Sequence, residues 1–562
     1  MTYPMTDTPQ KSREFRFAHL AIFVTIITLL VMGRLCFNEF TWWDDNNTVH
    51  HNPLLNPPSL ATVQFYWLHP AYRIYAPLTY MAWAGLALVA RVSPDPDGIT
   101  LDPLVFHGAN VLLHVLAALV VCKILRLLKM NWVGTFFGAL VFAIHPLQVE
   151  AVAWVSGLKD LLSGLLTLVA LWQYLQFAID DRDGTRRPFR LLLSIASLIL
   201  AMLAKSSAAT VPLAAIALDR LMIGRSRRSA LTSASLLAIT AVPLVVIASI
   251  AQSSGDLAPI PLWQRPLIAS DSLTFYLHKL VWPINLCIDY GRTPEVAMNQ
   301  SWIVIEWLVP ASIAAALIIF RARVGALLAA ALVFVAGCLP TLGLTTFATQ
   351  FFSTTADHYL YWAMLGPSIA IAWVFTRFPG ASPLRTIIVM AIVACAALLS
   401  IREGGFWKDD FSLLAHTIAI NPNSFLAYNN LGNAYYRDHN APRAADMFRR
   451  AITAKPDYAM AHSNLAAALH ELGDVDGSIA ELERSISLER SQPLRLRQTW
   501  IIDLNRLGQI LLGNGKPAQA AAPLRESLAA NPDQPDIKAM LAQAQTRSAH
   551  PAAARASSPV TP

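Results

Sequence analysis

Five acidic side chains stand where an otherwise apolar chain has little reason to keep them. Asp44 and Asp45 follow an apolar run at 17–37, inside NEFTWWDDNNTVHH; Glu150 and Asp160 lie in HPLQVEAVAWVSGLKD, which begins at His145; Asp357 precedes His358 and Tyr359 in STTADHYLY. The cations in the same stretches are Arg73, Lys159, Lys205 and, when protonated, His358. Carboxylates at a membrane boundary are costly unless they are solvated or used. Taken singly, each has a plain account: a solvated loop for Asp44 and Asp45, an end-of-helix charge for Asp160, an interfacial anchor for Tyr359. Together they form the inventory of a transfer reaction in which a carboxylate deprotonates an acceptor hydroxyl and cations hold a phosphate leaving group. His50-His51 beside Asp44-Asp45 is the candidate for a divalent cation, although adjacent side chains point apart in most backbones. No other cofactor is implied.

Other chemistries lack their residues. Gly515-Lys516 sits in LLGNGKPAQ, without the first glycine of a phosphate loop and followed by Pro517, and no GxGxxG, HExxH or GxSxG is present. Cys36, Cys122, Cys287, Cys338 and Cys395 are widely spaced with no CxxC, so neither a disulfide framework nor a zinc site is expected.

The elements that must position these residues are mostly membrane helices. Of 562 residues, 55% are hydrophobic and 14% charged, with a mean hydropathy of +0.44, which excludes an ordinary soluble protein. Residues 1–401 carry 26 Lys+Arg and 20 Asp+Glu, whereas 402–562 carry 17 and 16 in far less chain. The first part reads as a transmembrane domain, 402–545 as a soluble domain, and the Ala/Ser/Pro-rich 546–562 as a disordered tail. About eleven spans are expected, at 17–37, 104–128, 132–146, 160–179, 190–204, 207–222, 230–251, 302–320, 324–343, 358–376 and 383–401. Two further apolar stretches, 74–91 and 265–283, are read as interfacial. That choice places the basic clusters around Lys123–Lys129, Arg182–Arg190, Arg220–Arg228, Arg321–Arg323 and Arg377–Arg385 on the cytoplasmic side with the N-terminus. It also puts the acids and cations on the opposite side, together with the C-terminal domain. The basic excess is thereby absorbed by membrane orientation, and no nucleic-acid-binding face is left.

The C-terminal domain carries a 34-residue repeat. FLAYNNLGNAYYRDHNAPRAADMFRRAITAKPDY, at 425–458, fits the tetratricopeptide template through Tyr428, Leu431, Gly432, Tyr435, Ala444, Phe448, Ala451 and Pro456. A second unit follows with Leu465, Ala466, Leu469, Ser478, Leu482 and Ser485. A third, with Leu507, Gly508, Leu511, Ala520, Leu524, Ser527 and Pro532, implies an insertion near 490–499. Trp407 to Pro422 reads as an isolated second helix of a repeat. Stacked helix pairs form a concave surface that recruits a protein or peptide.

In order along the chain come the acidic pair, Tyr72-Arg73 with Pro77-Leu78-Thr79, HPxxxEAVAxxxGxxDLL from His145 to Leu162, Ala204-Lys205, ADHYLY from Ala356 to Tyr361, and the repeats. Across roughly 17–535 this resembles the transmembrane and tetratricopeptide-repeat O-mannosyltransferases and their bacterial relatives, which are C-type (GT-C) glycosyltransferases. The resemblance implies a polyprenyl-phosphate sugar donor, inversion at the anomeric carbon, and an active site facing the periplasm or the lumen of the endoplasmic reticulum. It further implies Asp44 or Asp45 as catalytic base, Asp160 as a catalytic acid that either supports the site from behind or orients the acceptor, and Lys159 and Lys205 toward the donor phosphate; Arg73, His145, Glu150, Asp357, His358 and Tyr359 complete the expected substrate-binding set. His358 stands where the related motif usually has arginine. Ser206 replaces a glutamate common in animal relatives, which points to a bacterial inner-membrane protein, so mannose and animal acceptors are not carried over. The alternative is a non-catalytic membrane anchor for a periplasmic repeat scaffold in envelope or exopolysaccharide assembly. A transporter is disfavoured because the spans lack paired intramembrane charges.

Overall fold

A computed structural model of the chain describes residues 8–94, 98–252, 260–380, 383–490 and 499–549. Among the described residues the structure is helical, with isolated bridges at Leu55–Pro58, Ala71–Ile74 and Arg91–Leu101 in place of strands. The all-α expectation therefore holds. Its contacts divide the chain into two compact units, Met1–His416 and Thr417–Pro562.

Among the described residues of the first unit, seven helices are long and apolar enough to cross a membrane: Phe15–Phe37, Pro103–Leu127, Val155–Arg182, Ser206–Ile223, Arg227–Ala251, Arg321–Thr341 and Ile387–Phe406. An eighth is a bent pair, Trp132–Ile144 with Pro146–Ala153, meeting at 49°. The bend falls at Pro146, which cannot donate to the preceding turn. Three of the eleven expected segments take other forms. Pro188–Ala204 and Ile303–Ile319 are shorter apolar helices. Segment 358–376 opens as short turns, Asp357–Leu360 and Trp362–Met364, before the helix Leu365–Arg377. Stretches 74–91 and 265–283 are the helices Pro77–Val89 and Arg265–Val281. Helix faces that would meet lipid carry unburied apolar side chains, such as Ile239 and Ile250 at 66% and 70% exposure.

The last apolar helix, Pro383–Phe406, continues past the break expected at 401/402. Charge appears before the helix ends because its charged residues are accommodated: Arg402 lies over the Phe406 ring and Glu403 is 3.9 Å from His416. Glycines let helices touch at backbone distance. In the Gly134-x-x-x-Gly138 pair, a Cβ at either position would overlap the backbone carbonyls of Ala372 or Ser368 on the helix Leu365–Arg377.

The second unit is a tetratricopeptide solenoid of helix pairs: Phe425–Arg437 with Ala441–Ala454, Ala459–Glu471 with Val475–Arg490, and Trp500–Gly513 with Pro517–Ala530. The repeat pattern has a steric cause. Gly432 and Gly508 face the Phe448 ring and the Leu524 side chain so closely that a Cβ would collide with them. The insertion expected near 490–499 falls largely on 491–498, outside the described residues. The tail expected to be disordered from 546 instead begins inside the helix Pro535–Ala549, held by buried Ile537 and Ala544; residues 550–562 lie outside the described residues.

Candidate active site

The two adjacent carboxylates of the first loop have different environments. Asp45 is fully buried, and its Oδ2 accepts hydrogen bonds from the Thr41 backbone N–H and hydroxyl, both at 3.1 Å. Its Oδ1 accepts from the Ser156 N–H at 2.9 Å and the Ser156 hydroxyl at 2.6 Å. Four donors thus staple the loop to the turn Val155–Gly157 that starts the helix Leu158–Arg182. Burial raises the Asp45 pKa to about 6, the Ser156 and Thr41 donors opposing it. Asp44 points elsewhere: its side chain is 44% exposed, with the Lys159 ammonium 3.8 Å from Oδ2. Desolvation in this recessed position raises its pKa and Lys159 pulls it back.

Lys159 lies 4.5 Å above the Trp154 ring, so its charge is held over an aromatic face. One residue on, the Asp160 carboxylate forms a close ion pair with Lys205. Lys205 sits at the end of the helix Pro188–Ala204, in extended backbone, and its ammonium is 5.3 Å from the Tyr359 ring centroid. The Tyr359 hydroxyl is 2.6 Å from that of Thr349. Phe352, three residues later, meets Trp43 edge-on at 5.8 Å. A small recess is lined by Asp160, Ser163, Lys205, Ser207, His358 and Tyr359, together with Gly337, Thr341, Tyr361 and Trp362.

The other expected site residues are placed by different needs. Glu150 accepts from the His358 backbone N–H at 3.0 Å and from its Nδ1 at 2.8 Å, holding the ring that lines the recess. Asp357 turns away to accept from the Tyr290 hydroxyl at 2.9 and 3.0 Å; burial first, and then neighbouring Glu150, hold its pKa well above the carboxylate range. His145 is a joint instead of a ligand group. Its Nδ1 accepts from the Leu147 N–H and its Nε2 donates to the Leu280 carbonyl, because the chain bends there and needs a cap. Arg73 occupies a two-residue turn closed by paired Ala71 and Ile74, where both Tyr72 and Arg73 have positive φ, 48° and 63°. That conformation costs non-glycine residues about 1 kcal/mol or more each. The Tyr72 hydroxyl donates to the Asn47 carbonyl at 2.8 Å, tying the turn to the loop that carries Asp44. Burial, and then Asp44, raise the Tyr72 pKa.

Among the described residues no group of three or more His, Cys, Asp or Glu gathers as metal ligands. The His50 ring instead packs 5.0 Å from Phe40 and 5.6 Å from Trp42. Ser156, Trp154 and Tyr290 were not legible as site residues from sequence. A serine 111 positions from its aspartate carries no local signal.

The fold and these residues define a multi-pass helical membrane protein with a polar, cation-bearing recess and a tetratricopeptide solenoid. A tetratricopeptide-repeat family model matches residues 429–493 and 505–557. The chain is homologous to proteins named protein O-mannosyl-transferases. It is 23% identical to mouse protein O-mannosyl-transferase TMTC3 over 82% of this chain and 54% of that one, and 23% identical to the human protein over 81% and 53%. Mouse TMTC1 is 38% identical over a shorter stretch, 20% of this chain and 12% of its own. The chain thus spans about half the length of the TMTC3 relatives it matches.

Proposed function

We propose that the protein is a bacterial inner-membrane GT-C glycosyltransferase that moves a sugar from a polyprenyl-phosphate donor to a hydroxyl, most simply of a protein, on the periplasmic face. The observation that carries this reading is the split between Asp44 and Asp45. One carboxylate is saturated by four donors, while its neighbour is half exposed with a single cation 3.8 Å away. Asp44 takes the proton from the acceptor hydroxyl. The acceptor oxygen bonds to the anomeric carbon, the bond from that carbon to the phosphate oxygen breaks, and polyprenyl phosphate departs with the electron pair. A single displacement inverts the anomeric carbon. Lys159 and Lys205 are the cations available to the departing phosphate, each beside an aromatic face that limits its hydration. The names of the relatives support sugar transfer. The basic clusters at the opposite helix ends support a cytoplasmic N-terminus, with the recess and the solenoid outside.

The test is transfer of radiolabelled sugar in membranes supplied with a panel of polyprenyl-phosphate sugars. Asp44→Asn should lower transfer at least about a hundredfold at matched expression. Because the base must be ionised, wild-type transfer should rise with pH along an acid limb displaced above the ordinary carboxylate range. Equal transfer by wild type and Asp44→Asn would remove Asp44 from the chemistry. If no donor reacts while the solenoid still captures a periplasmic protein, the scaffold reading takes its place.

A further inference from the structure

Asp160 commits one carboxylate oxygen and leaves the other open. Oδ1 faces the Lys205 ammonium, whereas Oδ2 is buried with no hydrogen-bond donor among the described residues. The side chain is 6% exposed, so bulk water does not meet that oxygen either. A buried acceptor left unpaired is expensive, and more so when charged. Asp160 lines the recess, with the hydroxyl-bearing Ser163 and Ser207 and with His358. Glu150 holds the His358 ring through Nδ1, 2.8 Å away. The recess therefore combines an ammonium and several hydroxyls with a buried carboxylate oxygen that has no donor among the described residues.

That pairing narrows the ligand. A second phosphate would be repelled by the open carboxylate oxygen. A metal ion would need more ligands than the described residues gather there. An apolar group would leave Oδ2 unsatisfied. A sugar ring, whose hydroxyls both donate and accept, meets each requirement.

We infer that Asp160 Oδ2 accepts a hydrogen bond from one ring hydroxyl of the donor's sugar, making Asp160 a residue that determines which sugar is transferred. The inference rests on the glycosyltransferase reading and assigns Asp160 to donor selection instead of acceptor orientation. Discrimination of this kind is strong because an analogue lacking the hydroxyl strands the buried carboxylate.

The test is equilibrium binding to the full-length protein in lipid nanodiscs. The probes are sugar-free polyprenyl phosphate, the tightest-binding polyprenyl-phosphate hexose, and the monodeoxy analogues of that hexose. Wild type should lose at least about tenfold in affinity for one deoxy analogue and little for the rest. Asp160→Asn should lose the discrimination at that one position. Asp160→Asn combined with Lys205→Gln, which leaves no unpaired charge, should lose it too, so misfolding of the single variant would not hide the result. Unchanged discrimination in a folded variant overturns the inference. A wild type that binds the hexose lipid no better than the sugar-free lipid overturns the reading beneath it, a distinguishable result.

Discussion

Asp45 makes its contribution through folding, and its environment sets a sign that can be measured. Burial raises its pKa to about 6 in the folded protein, against about 3.9 in an unfolded chain. Between those values the folded state holds a proton that the unfolded state has lost. Asp45 therefore contributes most stability below about pH 4, and that contribution is lost as pH rises through 6, by about 3 kcal/mol in all. Thermal unfolding in detergent from pH 4 to 7 should show a steeper decline for wild type than for Asp45→Asn, which cannot titrate. Parallel slopes would mean that Asp45 does not change its proton on folding. Asp44→Asn, whose side chain is half exposed, should leave unfolding far less altered than Asp45→Asn while removing transfer.

At the scale of elements, the recess depends on how closely the helix Leu158–Arg182 can approach the turns that follow Asp357. Gly164 sits where any Cβ would overlap the Tyr361 ring. That ring is itself fixed by its hydroxyl, 3.1 Å from His114 Nδ1. Gly164→Val should destabilise the membrane unit by about 1–3 kcal/mol through overpacking, and should lower transfer because Tyr361 lines the recess. Gly108 is the control: it too lies in a long apolar helix, Pro103–Leu127, but nothing stands within 4 Å of a Cβ there. Gly108→Ala should be neutral or slightly stabilising, since alanine loses less backbone freedom on folding. Unfolding temperatures of the two variants in one detergent decide the matter, and equal shifts would contradict the packing account.

Over the whole molecule, the candidate site and the repeats fall in separate compact units, divided at 416/417. If the proposed transfer is correct and the solenoid supplies local concentration in place of a reacting group, a chain ending at residue 416 should retain transfer to a small hydroxyl acceptor and lose at least about tenfold toward a protein acceptor. Comparing the truncated and full chains on both acceptor types tests this. Parallel losses would show that the solenoid supports the membrane unit itself.

Patterns that repeat along the chain were readable without a structure. Apolar runs of span length reveal membrane helices because lipid asks the same of every turn. The repeats show at Gly432 and Gly508 because the same close approach governs the first and third helix pairs. The acids and cations also stood out by type, since an apolar chain retains few of them by accident. Their separate uses did not. Asp44 and Asp45 are neighbours of identical chemistry, and only the approach of Ser156, 111 residues away, occupies one and leaves the other open. His145 and Asp357 sit in the same motifs as Glu150 and His358, yet the fold spends them on a bend and on Tyr290. Residue type states what a side chain can do, whereas burial and partners far along the chain decide what it is left free to do.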